Sequence, residues 1–185
     1  MAHGRWRYPG GEVLIAEELA RDLLSASTVL EEDDLAHLRE HSLEVQLPFL
    51  HRLEPQMTFV PVCLMRTSLS FCRSVGEAVA RTVRASAEPV CLISSTDLNH
   101  YESQAISNRK DRLAIDAILS LDPERLHRTV IEQQISMCGI APTTALLFAL
   151  QELGPRSAQL VSYMTSGDVS GDLNRVVGYC GITIQ

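Results

Sequence analysis

Lysine is almost missing from this chain. Of its 16 basic residues only Lys110 is lysine, an arginine bias that reads as a property of the source genome and not of a binding site. The five cysteines, at positions 63, 72, 91, 138 and 180, form no C-x-x-C pair and are odd in number. That argues against a disulfide scaffold and for a reducing compartment. Four of them sit inside apolar runs, where a free thiol is expected to behave as a small buried hydrophobe. No apolar run approaches the ~18 residues needed to span a bilayer, and the N-terminus has no signal-peptide h-region. A cytoplasmic protein without a membrane partner is therefore expected. A basic stripe is lacking too. With a net charge of -7 and a pI near 5.3, nucleic acid is not an expected partner. Internal repeats, low-complexity tracts and linkers are absent, so residues 1–185 are read as a single domain.

What is present is the composition of a globular protein, 45% hydrophobic and 21% charged, enough for a substantial core. Residues 1–11 read as irregular, with Pro9, Gly10 and Gly11 marking a turn. Val13 to Ala16 reads as a short strand and Glu17 to Leu24 as a helix. Leu43, Leu47 and Leu50 recur at helical spacing, and Pro48 should kink that helix or start a second segment. Met57 to Leu64 and Val90 to Ser94 read as buried strands, with a helix from Ser68 to Ala87 between them. That helix is expected to turn Phe71, Val75, Val79 and Val83 inward. A helix over Ala105 to Leu121 should bury Leu113, Ala114, Ala117, Ile118 and Leu121. Asp122 and Pro123 supply an N-cap and a first-position proline for the next helix. Thr143 to Leu153 is a strongly apolar helix, stopped by Gly154 and Pro155. Two strands, Gln159 to Met164 and Val176 to Ile184, close the chain. This order suggests an α/β three-layer α/β/α sandwich.

Three stretches carry chemistry. The first is Ser95-Thr-Asp97-Leu-Asn-His100-Tyr101, at the end of an expected strand, where ligands collect in open α/β sheets. A carboxylate near an imidazole can fix the ring's tautomer and raise its basicity. Equally, Asp97 could cap a turn and His100 could be an ordinary surface histidine. The second places His41 and Glu44 at i and i+3, on one face, either aimed into a site or hydrogen-bonded at the surface. The third is Met137-Cys138-Gly139-Ile-Ala-Pro142. Cys138 sits just before a helix N-terminus, the setting of reactive or metal-binding thiols, although a buried inert thiol fits the spacing too. The polar loop Thr165 to Asp172 reads as a connector.

Taken in order, His41-Ser-x-Glu44-x-Gln-x-Pro48, Ser95-Thr-Asp97-x-x-His100-Tyr101, Met137-Cys138-Gly139-x-x-Pro142 and Ser166-Gly-Asp-x-Ser-Gly-Asp172 with Val176-Val-Gly-Tyr179 resemble the Memo family. They are most similar to its bacterial branch, the AmmeMemoRadiSam system protein B type. The resemblance runs from about Trp6 to the C-terminus. It implies a fold similar to class III extradiol dioxygenases and a non-haem metal site, of iron or copper, built from two histidines and one cysteine. Cys138 matches the metal-binding cysteine. His100 and Asp97 match the pocket's acid/base and its orienting partner, and His41 and Glu44 match a candidate pocket wall.

The family's two metal-binding histidines lie in motifs of the P-H-A-G-Y and G-P-x-H-H kind, and this sequence contains neither. The resemblance thus implies a truncated form with an incomplete metal site, short of two strands in mid-sheet. Self-association, or a second chain supplying the N-terminal part, is an expected consequence. Three readings follow. One is a metal-dependent, dioxygenase-like protein with a degenerate site. The second is a non-enzymatic module binding a small molecule or peptide. The third uses Cys138 as a nucleophile with His100 as its base.

Overall fold

Short apolar segments punctuated by Pro-Gly and Asp-Pro turns fold here into a mixed α/β structure, seen in a computed structural model that describes residues 1–154 and 157–185. The expected helix stop at Pro155 lies outside the described residues. Strands β1 (Arg5–Tyr8) and β2 (Gly11–Ile15) form an antiparallel hairpin across Pro9 and Gly10, and β3 (Thr58–Phe59) joins β2 in parallel. The N-terminal segment read as irregular therefore contains a strand. Its Trp6 packs with Val13 and Leu47 in a small core of its own. Helix α1 (Glu17–Ala26) follows β2. Around Pro48 a single 3-10 turn, Glu44–Gln46, passes into α2 (Leu47–Leu53), with the proline in the first turn as its missing N–H requires.

The second sheet is built from β4 (His100–Glu102), β5 (Ala158–Thr165) and β6 (Val176–Ile184), with β6 in the middle and both pairings antiparallel. Helices α4 (Gln104–Leu119), α5 (Pro123–Glu132) and α6 (Ile140–Leu153) pack beside it around the main core of Leu98, Ile115, Leu126 and Leu147. Asp122 caps α5 by accepting from the Arg125 N–H at 2.9 Å. Gly154 ends α6 in the left-handed region at φ 80°. A four-residue turn, α7 (Gly167–Ser170), links β5 to β6.

Several features differ from the sequence reading. The described strands form two three-stranded sheets, not one sheet between two helical layers. Of the expected strand over Met57 to Leu64 only Thr58–Phe59 is paired, and Val90 to Ser94 belongs to no strand. Among the described residues, no backbone N–H of 60–66 or 90–96 donates to any partner. Cys91 and Ile93 are accordingly exposed, the latter at 49%, against the expectation of a buried strand. Helix α3 (Leu69–Ala85) forms as expected, with Val75 buried and Phe71 and Val79 packed against the same core, while Cys72, Gly76, Ala78, Ala80 and Thr82 are buried beside them. Gly76 sets how closely α6 approaches. A Cβ there would lie 2.5 Å from both the Ala145 carbonyl oxygen and the Phe148 Cβ, so α3 and α6 touch backbone to backbone. On α4, Leu113 is 39% exposed where burial was expected, and Asp111 is fully buried in its stead. No helix among the described residues is long and apolar enough to cross a membrane.

Candidate functional site

Asp97, His100 and Cys138 come together. One ligand atom from each lies within 4.8 Å of the other two. Asp97 sits on the turn that enters β4, His100 is the first residue of that strand, and Cys138 lies two residues before α6. The two segments are stitched directly: the Asp97 N–H donates to Cys138 Sγ at 3.1 Å, and the Gly139 N–H donates to Thr96 Oγ1 at 2.8 Å. Gly139 is required for this approach, since any Cβ would overlap the Thr96 side chain. Cys138 is exposed.

The His100 ring is fixed by Ser136. Its Nδ1 lies 2.5 Å from the Ser136 carbonyl oxygen. A carbonyl can only accept, so Nδ1 carries a proton, which leaves Nε2 as the nitrogen that can offer a lone pair. That Nε2 stands 3.5 Å from Asp97 Oδ2. An imidazole lone pair, a carboxylate oxygen and a thiol sulfur therefore converge, an arrangement that calls for a proton or a cation between them. The His100 N–H is held as well, donating to Ser136 Oγ at 2.7 Å.

Behind this turn lies a buried polar network that sequence reasoning did not single out. Asn99 is fully buried and every polar atom on it is used. Its side-chain amide donates to Glu102 Oε2 and Ser107 Oγ, and its Oδ1 accepts from the Ser136 N–H and hydroxyl. Its backbone N–H donates to Asp111 Oδ1 at 2.8 Å, and its carbonyl accepts from the Gly178 N–H at 3.0 Å. Asp111 also accepts from the Tyr163 hydroxyl at 2.8 Å. Burial pushes the Asp111 carboxyl above the ordinary carboxylate range, against the pull of the Asn99 N–H and the Tyr163 hydroxyl. Gly178 makes room for that carboxylate, as a Cβ there would overlap Oδ2. Lys110 closes the network by donating to Glu102 Oε2 at 2.7 Å and to the Gln134 carbonyl at 2.9 Å. The only signal of Asn99 in the sequence was its place inside the D-x-N-H turn.

Tyr101 follows His100 and interrupts β4 with a bulge: His100 pairs with Val177 and Glu102 with Val176, leaving Tyr101 unpaired. Its φ is 60°, a conformation costing a non-glycine residue about 1–2 kcal/mol. Its side chain is 65% exposed. The guanidinium of Arg175 lies over its ring at 5.4 Å, and its centroid is 5.6 Å from that of His100. Tyr179 is nearby, its phenol pushed up by partial burial and by the charges of Asp97 and Tyr101.

His41 and Glu44 do not join the three-residue group. Their neighbours reach the site instead. Ser95 Oγ donates to the Ser42 carbonyl at 2.7 Å and accepts from Gln46 Nε2 at 3.0 Å. The Thr165 to Asp172 loop is a connector locked by Asp168, which accepts from the Thr165 N–H and from Gln104 Nε2, each at 2.7 Å.

Comparison with known proteins gives a consistent result. A family model described as Memo-like protein matches residues 1–183. A MEMO1 family protein of Methanococcus maripaludis (strain C5) is 40% identical over 186 residues, covering 98% of this chain and 66% of its own length. One from Methanocaldococcus jannaschii is 39% identical, covering 98% and 65%. One from Thermotoga neapolitana is 44% identical over 176 residues, covering 95% and 62%. The chain thus spans just under two thirds of the length of the curated relatives it matches.

Proposed function

The chain belongs to the Memo-like family, and from that premise we propose that it is a metal-binding protein of the AmmeMemoRadiSam system B type. On this reading its fold is akin to class III extradiol dioxygenases, and Asp97, His100 and Cys138 carry a redox, dioxygenase-like site. The observation that supports it most is the hydrogen bond from His100 Nδ1 to the Ser136 carbonyl. Metal-ligating histidines characteristically donate their second nitrogen to a carbonyl or carboxylate, which aims the other lone pair at the ion. The donor set suits iron or copper, because thiolate and imidazole favour such ions over magnesium or calcium. An ion bound there supplies Lewis acidity and one-electron chemistry. Cys138 is its thiolate ligand. His100 is either a second ligand or the group that moves a proton at Nε2, and Asp97 orients or charges that nitrogen. Ligands beyond these would come from a second chain or a second copy.

Anaerobic titration of the 185-residue chain with Fe(II) and with Cu(I), beside Cys138→Ser, tests the reading. Binding near one ion per chain, lost in the variant, is the expected result. A folded parent that takes up neither ion overturns it.

The openness of the site favours one other reading, a non-enzymatic module for a small molecule or peptide, since the Asp97 side chain is 45% exposed and Cys138 is exposed. It requires a ligand that binds equally well to the parent and to Cys138→Ser without metal. A Cys138 nucleophile with His100 as base would instead show fast metal-free alkylation that slows in His100→Ala.

A further inference from the structure

Among the described residues, three that are not glycine have positive φ: Tyr101, Leu121 and Gln134. Leu121 and Gln134 lie just past the C-caps of α4 and α5, where the left-handed conformation closes a helix. Leu121 packs on the main core, and the Gln134 carbonyl accepts from Lys110. Tyr101 has no such explanation. It lies in mid-strand, at a bulge that glycine fills without strain, and its side chain goes to solvent. The outcome of the strain is positional: an exposed aromatic ring stands beside His100 and under the Arg175 guanidinium. Arg175 makes no ion pair with any carboxylate among the described residues, so its five donors remain open to a ligand.

We propose that Tyr101 and Arg175 form the ligand-recognition rim of the Asp97–His100–Cys138 pocket, selecting a planar, conjugated carboxylate. The ligand's flat face rests on the Tyr101 ring, and its carboxylate is taken by the fork of Arg175, which matches a carboxylate in shape as well as charge. A saturated carboxylate offers the charge without the flat face, and a planar amide offers the face without the charge. Both bind less well. The inference rests on the reading of this pocket as a binding site, but it does not require a metal.

The probes are benzoate, cyclohexanecarboxylate and benzamide, titrated into the metal-free 185-residue chain by ligand-observed NMR. Benzoate is expected to bind about tenfold more tightly than either control, the size of effect one charge-assisted contact supplies. Tyr101→Gly should lose that preference over cyclohexanecarboxylate while its melting temperature stays level or rises, because the strain is relieved. Arg175→Gln should bind benzoate and benzamide alike. Cys138→Ser should retain benzoate binding in full, which separates this rim from the metal reading. Equal affinity of the parent for all three probes overturns the proposal, and so does unchanged benzoate binding in Tyr101→Gly. A Tyr101→Gly variant less stable than the parent overturns it as well, by showing that the ring is structural.

Discussion

Asn99 grips Ser136 through a single oxygen: its buried Oδ1 accepts from both the backbone N–H and the hydroxyl of Ser136, at 3.2 and 3.1 Å. Ser136 in turn holds both nitrogens of His100 that face it, the backbone N–H and Nδ1. That amide side chain thus adds to the direct bonds that register the segment carrying Cys138 against the turn carrying Asp97 and His100.

Removing that amide should be costly for the fold and for the site. Asn99→Ala strands the Ser136 N–H and breaks the contacts to Glu102 and Ser107, a loss of about 3 kcal/mol or more by urea unfolding. Ser136→Ala keeps the backbone carbonyl but loses the hydroxyl, and should cost only about 1 kcal/mol. Metal affinity should stay close to the parent's, because the carbonyl that accepts from Nδ1 and aims the ring remains. A large loss of affinity in a folded Ser136→Ala would show that the hydroxyl, and not the carbonyl, positions His100.

Asp111 gives the stability curve a definite sign. Burial raises its folded-state pKa above the unfolded one, so the fold favours the protonated carboxyl. The stability it contributes is complete below about pH 3.9, the ordinary aspartate value, and is lost as pH rises through the folded-state value. Asp111→Asn cannot ionise and escapes that loss. Parent stability should fall relative to the variant over a window that opens near pH 4, then run parallel to it. Urea unfolding across the acid range measures this, and a constant difference would refute a raised carboxyl.

The five thiols should separate into two classes. Burial pushes Cys63 and Cys180 up to about 11, with Glu40 adding to Cys63 and Asp111 to Cys180, and it raises Cys72 too. At pH 8 roughly one part in a thousand of such a thiol is thiolate. Cys91 and Cys138 are exposed. Iodoacetamide followed by peptide mapping should label these two first in the native chain, and all five in urea. Early labelling of Cys180 would place it outside the core it lines.

Much of this architecture was legible from residues alone, for identifiable reasons. β6 matched its expected limits because a nine-residue apolar run beside turn residues has few other uses, and α5 began where Asp122 and Pro123 said it should. Val90 to Ser94 misled because apolarity reports a tendency to be covered, whereas a strand also needs a neighbour to bond with. On α3, Val75, Phe71 and Val79 face the core as expected, but Gly76 went unnoticed, a residue without hydrophobic weight that decides how close α6 can come. In the site, Asp97, His100 and Cys138 stood out as ligand types in motifs, and the fold brings all three together. Asn99, Ser136 and Asp111 did not stand out, because their work is to satisfy one another's hydrogen bonds, and that partnership is visible only in three dimensions.

The two unpaired backbone stretches have a kinetic consequence. Amide protons of residues 90–96 have no acceptor among the described groups, so they should exchange with solvent far faster than those of β6. Protection should start abruptly at Asp97 and Leu98, whose N–H groups are held by Cys138 Sγ and the Gly178 carbonyl. The pocket thus sits on a boundary between cooperative units: one wall opens only when β6 does, while the strand-like approach to the other can fluctuate alone. A ligand that orders that approach would register as new amide protection well before any change in the sheet.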